Sequence, residues 1–149
     1  MNKNKYEQTI LIRASATIVE RCFTERTLMH RWLNPALRCD PVGETWRTDL
    51  GSQTRFVLKV PVLQPSLLST VVERAPGLVV WRFTGFFVGC DRWECQPESK
   101  GTRLLNRFEF EIPNPIVAFG FKQFAAKWTQ QDMEAQLQRL KQVAERLEN

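Results

Sequence analysis

The sequence predicts an α+β fold: a strand, a short helix or helix pair, five or six antiparallel strands, and a long C-terminal helix. Three observations predict it. The middle of the chain alternates apolar and polar residues with period two, most cleanly in "TRLLNRFEFEI" (102–112). The last third carries apolar residues at helical spacing behind an Asn-Pro start. Helical spacing also occurs once early, in "ATIVERCFTERTLMHRWL" (16–33). With 149 residues, 43% of them hydrophobic and 25% charged, the chain reads as one domain, 1–149, with a core of its own.

The elements follow in order. "YEQTILIRAS" (6–15) is rich in β-branched and apolar residues and reads as a strand. Ser15 is placed to cap a helix in which Ile18, Cys22, Met29 and Trp32 recur at helical spacing until Asn34-Pro35 stops it. Whether this is one interrupted helix or two short ones is left open. Strands follow at 54–60, with Phe56, Leu58 and Val60 on one face, at 67–77 into a Pro-Gly turn, and at 78–85, with Val79, Trp81 and Phe83 together. Asn114 caps the last helix and Pro115 takes its first position. Its apolar stripe has two parts, Val117-Phe121-Phe124-Trp128 and Met133-Leu137-Leu140-Ala144-Leu147. They fall out of phase at Gln131-Asp132, and Gly120 weakens the early turns.

The stretch "GCDRWEC" (89–95) raises the question of a metal or redox site. "PESKG" (97–101) is a turn with Gly101 as its positive-φ residue, so 90–96 is the hairpin partner of 102–112. Alternation then puts Asp91, Trp93 and Cys95 on the covered face, and Cys90, Arg92, Glu94 and Gln96 on the wet one. The two thiols face opposite ways, about 17 Å apart along the strand, far outside disulfide or zinc geometry. The one histidine, His30, sits beside Arg31 and is expected to be exposed. No metal site and no cofactor are expected. The four cysteines read as free thiols and, with no apolar run of membrane-spanning length or signal-like start, the expected location is cytoplasmic.

The same alternation places Asp91 and Asn106 among the aromatics of the covered face. A polar group buried there without a partner is costly, so either both are paired or the face lines a pocket. The formal charge of +5 comes from basic residues interleaved with acidic ones. It speaks to solubility, and nucleic acid is not an expected partner.

Several stretches resemble one superfamily. "IRASATIVERCFTERTLMHRWLNP" is similar to its opening, "ERAPGLVVWRF" to its Pro-Gly turn and Trp strand, "CQPESKGTRL" to its Gly-Thr hairpin, and "MEAQLQRLKQVAE" to its terminal helix. The chain resembles the START/polyketide-cyclase/aromatase (SRPBCC) superfamily over nearly its whole length. The resemblance implies a helix-grip fold: a curved antiparallel sheet of about six or seven strands wrapped around the C-terminal helix, with a cavity between them. It implies an apolar or amphipathic small molecule as partner, such as a lipid, quinone or polyketide.

On that basis the candidate wall residues are Trp32, Phe56, Trp81, Phe83, Asp91, Trp93, Asn106, Phe108, Phe121, Phe124 and Trp128. Binding or carriage of such a molecule is the first expectation. A cyclase or dehydratase using the same cavity is the alternative, with Asp91 as the candidate acid or base and Asp132 next. A third is an interaction module: "IVAFGFKQFAAKW" mixes aromatics with Lys122 and Lys127 and leaves a peripheral membrane contact open. Oligomeric state is not legible.

Overall fold

The computed structural model describes residues 3–59 and 65–149. Val60, the end of the expected strand 54–60, lies outside them, as does the side chain of Phe124. Seven strands form one sheet in the order β1-β7-β6-β5-β4-β3-β2. They are β1 (Lys3–Ile12), β2 (Leu37–Pro41), β3 (Gln53–Leu58), β4 (Ser66–Ala75), β5 (Leu78–Gly85), β6 (Val88–Glu98) and β7 (Gly101–Glu111), each pair antiparallel. β1 begins three residues earlier than its apolar text suggests. The eleven-residue β7 offers it Glu109 and Glu111 opposite Lys5 and Lys3.

The early helical text divides in two, α1 (Ala16–Thr24) and α2 (Arg26–Met29), because Glu25 between them is extended (φ −96, ψ 121). The Ser15 hydroxyl accepts the Ile18 N–H at 3.3 Å and caps α1. β2 is an element that the sequence reading did not isolate. Only Cys39 in it is buried; Arg38 and Asp40 flank it, and Asp40 accepts from both Arg38 and Arg26.

The long helix is interrupted. α3 (Pro115–Gly120) starts under the Asn114 cap, whose side chain accepts from the Ile116 and Val117 N–H groups. Phe121–Ala125 is π-helical, and α4 (Ala126–Glu148) follows. A π turn holds an extra residue and rotates everything after it. The break in phase therefore lies at 121–125, not at Gln131-Asp132 as the sequence pattern suggested. Asp132 instead accepts from Asn34 at 2.8 Å and Gln136 at 2.6 Å.

The core under the sheet falls into two apolar clusters. The larger joins α1, α2 and α4 to one end of the sheet through Ile12, Phe23, Trp32, Trp93, Leu104, Leu137 and Leu140. The smaller lies under α3 and the π segment and is built on Phe83, Phe110, Ile112 and Phe121. The opposite face of the sheet is roofed by charge pairs, such as Arg92 with Glu73 and Glu94.

Gly89 sets how closely β6 and β7 approach beside the smaller cluster. A Cβ there would come 1.9 Å from the Glu109 carbonyl oxygen, whereas one at Gly120 meets nothing within 4 Å. Gly89→Ala is expected to lose roughly 3 kcal/mol of stability by forced backbone shifts. Gly120→Ala is expected to gain up to about 1 kcal/mol from helix propensity. Urea midpoints at constant m-value read both.

Candidate functional site on the covered face

β6 carries Asp91, Trp93 and Cys95 on the covered face, opposite Phe108, Asn106 and Leu104 of β7. Cys90 pairs with Glu109 on the other face, and all four cysteines are free. Burial pushes the Cys22 thiol up to about 11 and those of Cys39 and Cys95 to about 12, so none of these three is a ready nucleophile. His30 is exposed at residue level, as expected, yet its Nε2 accepts the Cys39 N–H at 3.1 Å and so is tied to β2.

Among the described residues, Asp91 is the one carboxylate facing the aromatic interior of the sheet. Its Oδ2 accepts the Trp93 indole N–H at 2.9 Å and its Oδ1 accepts the Asn106 amide at 2.8 Å. The Asn106 amide also donates to the Arg92 carbonyl at 3.1 Å, which locks its orientation. Surrounding protein desolvates Asp91 and pushes its carboxyl up to about 6; the bonds from Trp93 and Asn106 pull the other way. At residue level Asp91 is only partly buried. Trp93 is fixed from behind by Phe23, 5.8 Å between ring centroids, and by Trp32 at 5.2 Å.

Asp91 and Asn106 belong to a diagonal run of polar residues on three adjacent cross-strand rows, the polar row, which follows the boundary of the two apolar clusters. On the covered face Gln8 of β1 lies opposite Asn106, and Thr54 of β3 lies opposite Ser69 of β4. Thr54, Ser69 and Asn106 are buried, Gln8 partly so. At its β1 end the row reaches a groove of about 280 Å³ between that strand and α4, lined by Lys5, Tyr6, Glu7, Gln8, Gln130, Met133 and Glu134. A larger open depression, about 580 Å³, lies between Glu20, Arg47, Thr48, Asp49 and Arg74–Pro76. It is far from this row, and its charges satisfy one another through Arg47–Asp49 and Arg74–Glu20.

Of the candidate wall residues, the structure brings Phe56, Trp81, Phe83, Asp91, Trp93, Asn106 and Phe108 onto the covered face around this row. Phe121 joins them from above, 5.4 Å from the Phe110 ring. Trp32 is packed inside the larger cluster, with its indole donating to the Cys22 carbonyl at 2.7 Å, so it supports Trp93 from behind. Trp128 is a correction: it is 60% exposed, because the π segment rotates it away from the face that Phe121 occupies. Gln8, Thr54 and Ser69 were not anticipated. The alternation of the first strand, followed from Ile10 to Gln8 and Tyr6, was the available signal for Gln8.

The linkage sign for Asp91 is that of a group whose folded pKa lies above its unfolded value of 3.8. Its contribution to stability is fully present below about 4 and is lost as pH rises through about 6. Relative to Asp91→Asn, the wild type is expected to lose up to roughly 3 kcal/mol between pH 4 and pH 8. Paired urea denaturations at the two pH values measure it; a pH-independent difference would contradict the assignment.

The comparisons with known proteins agree with this architecture. A family described as "Polyketide cyclase / dehydrase and lipid transport" matches residues 3–145. No curated protein matches the sequence. Among solved structures, a Thermus thermophilus protein superposes with a TM-score of 0.74 at 17% identity, covering 99% of this chain and 100% of that one. The Zhui aromatase/cyclase from Streptomyces superposes with a TM-score of 0.71 at 17% identity, covering 97% and 95%. A Staphylococcus aureus protein of unknown function gives 0.67 at 15% identity, covering 97% and 94%. At these identities the neighbours speak to the fold, and the family match spans nearly the whole chain: the protein belongs to the polyketide cyclase/dehydrase and lipid transport family and is an SRPBCC-type helix-grip domain.

Proposed function

We propose that this domain binds and carries an amphipathic small molecule between the sheet and the long helix, with a polar end of the molecule at Asp91. The observation that supports this reading is a desolvated carboxylate, held by two neutral donors, in the middle of an aromatic face. A closed core has no use for an ionisable group there, whereas ligand pockets combine apolar walls with a few fixed polar atoms. The groove beside Gln8 is slightly smaller than the usual ~300 Å³ lower bound for such sites, so loading requires the helix to give way. The π segment is the natural place, since such turns are rare inside helices and concentrate at functional sites.

Turnover of the cyclase or dehydratase kind is the lesser reading. Asp91 would serve as base at neutral pH, but among the described residues no second acid or base is hydrogen-bonded to it.

Isothermal titration with fatty acids, quinones and polycyclic aromatics tests the carrier reading. Saturable binding is expected for at least one class. Phe108→Trp, which enlarges the side chain directly opposite Asp91, is expected to weaken it about tenfold, the equivalent of 1.4 kcal/mol. Saturation by none of these classes would refute the carrier reading.

A second observation favours contact with an anionic membrane surface during loading. Ile116, Phe119 and Trp128 are 82%, 65% and 60% exposed along the helix that covers the smaller cluster. Lys122 and Lys127 are exposed beside them, and no acidic residue occurs from 112 to 131. Apolar side chains flanked by lysines fit a lipid interface. Co-sedimentation with phosphatidylglycerol vesicles is expected, decreasing at high salt and on Phe119→Ser, with little binding to phosphatidylcholine. Equal binding to both vesicle types would remove the electrostatic part, and no binding would remove the reading.

A further inference from the structure

The sheet does not close on itself and has two edges, β2 and β1. An open edge presents a row of unpaired N–H and C=O groups, and natural proteins cover or blunt it. The β2 edge is closed. Its Cys39 N–H donates to His30 Nε2 at 3.1 Å, and its Cys39 carbonyl accepts from Arg26 Nε at 2.6 Å. Its Leu37 N–H donates to the Asn34 carbonyl at 2.8 Å, and Pro41 has no N–H. The β1 edge is closed over its last part only. There Lys141 Nζ donates to the Leu11 carbonyl at 3.2 Å, and the Arg13 N–H donates to Glu145 Oε2 at 2.8 Å. Backbone groups alternate between the two sides of a strand, so those of Lys3, Lys5, Glu7 and Thr9 face the same way as those of Leu11. Among the described residues, no group bonds to them from that side.

This open half carries none of the usual blunting devices. It has no proline, and its register on β7 runs without a bulge from Lys3 to Ile12. α4 stands off from it across the groove of about 280 Å³ that Gln130, Met133 and Glu134 line. Lysines on an edge ordinarily deter pairing, but here Glu7 stands at the spacing that cancels them. The stretch "KNKYEQT" (3–9) is complementary to itself when run antiparallel about Tyr6. Lys5 then lies opposite Glu7 of the second copy, and Glu7 opposite Lys5. Lys3 meets Thr9 on the same face, and Asn4 meets Gln8 on the covered face. The pairs made by Lys3, Lys5, Glu7 and Thr9 are of the kind that exchanges two main-chain hydrogen bonds each. A shift by two residues sets Lys5 against Lys5 or Glu7 against Glu7, which is repulsive. An odd shift sets the charged face of one strand against the covered face of the other.

We propose that the open half of β1 is a docking surface for a second copy of this chain, which adds antiparallel about Tyr6 and joins the two sheets into one. Main-chain bonds supply the attraction and the Lys5–Glu7 pairs set the register. Glu7 keeps Arg107 of its own chain and gains Lys5 of the second copy. The contact is one strand wide, so the pair is weak, with a dissociation constant of about 10–100 µM.

Sedimentation equilibrium of the full chain at low salt, from about 5 µM to about 1 mM, is expected to show monomer passing to dimer. Lys5→Glu and Glu7→Lys each place like charges opposite one another twice, and each is expected to weaken self-association at least about tenfold. Mixed in equal amounts, the two variants carry complementary strands, and a dimer of one of each is expected to return at close to the wild-type constant. Far-ultraviolet circular dichroism checks the fold of both. Where Glu7→Lys, which gives up Arg107, does not fold, Lys5→Glu alone decides. Monomer at every concentration overturns the proposal and leaves the edge to a foreign extended segment or to none. A dimer that survives Lys5→Glu, or that is lost instead on Phe119→Ser, is built on another surface and overturns it equally. Two folded variants that stay apart when mixed overturn the pairing about Tyr6.

Discussion

The register of β6 on β7 is the constraint on which the covered face depends. Their turn contains only Ser99 and Lys100, with Glu98 opposite Gly101, so the hairpin has no slack. A slip of one residue would exchange the faces of the whole strand. Arg92 and Glu94 would be driven against Phe23 and Trp32, while Asp91 and Trp93 would turn to water. Three contacts fix the faces of the hairpin and the place of its turn. Arg92 is bound on the outer face by Glu73 and Glu94. The Thr102 hydroxyl donates to the Ala14 carbonyl at 2.8 Å and ties the turn to the start of the helical layer. Gly101 fits where a Cβ would come 2.1 Å from the Ile12 carbonyl oxygen, so the strand start can sit there only without a side chain.

The long helix answers to two different surfaces, and the π segment reconciles them. α4 lays Leu137, Leu140, Val143 and Ala144 on the cluster that holds Trp32 and Trp93. Phe121, at the start of the π segment, packs on Phe87 and Phe110 at the other end of the sheet. A continuous α-helix with this sequence could not present both stripes to one curved sheet. The extra residue of the π turn rotates one stripe onto its target, and Tyr6 reinforces the junction by donating to the Ala126 carbonyl at 3.3 Å. The consequence is a seam between the clusters, which is where the polar row runs.

What the sequence made legible follows from this. Period-two alternation between tight turns is a local signal, so β6, β7 and their faces, and with them Asp91, Trp93 and Asn106, could be read directly. The fold class was readable for the same reason. β2 was not: five residues with a single buried Cys39 have almost no pattern, and only pairing with distant β3 makes them a strand. Trp128 was assigned to the stripe of Phe121 on the assumption of unbroken 3.6-residue periodicity, which the π turn removes. Thr54, Ser69 and Gln8 are small or polar residues brought together by partners up to about a hundred residues away. Alternation with Ile10, Phe56 and Val71 gives their side of the sheet, but nothing local sets these polar residues apart as part of a site.

The distribution of unfavourable polar terms separates a site from a poorly filled core. Scattered over the interior, an ionisable group with a raised pKa and two unpaired polar atoms would point to loose packing. Here Asp91, Trp81 and Thr54 fall on adjacent rows of one face, and both flanking clusters are closed by stacked aromatic pairs such as Phe23–Trp93 and Phe87–Phe110. Well-satisfied packing on both sides of a strip that is not satisfied means that the cost is local and confined to the seam. Local rules broken together, amid consistency elsewhere, are the physical mark of a surface shaped for something other than folding. Within that strip Asp91, Asn106 and Trp93 satisfy one another, while Thr54 and Trp81 are left without a partner among the described residues.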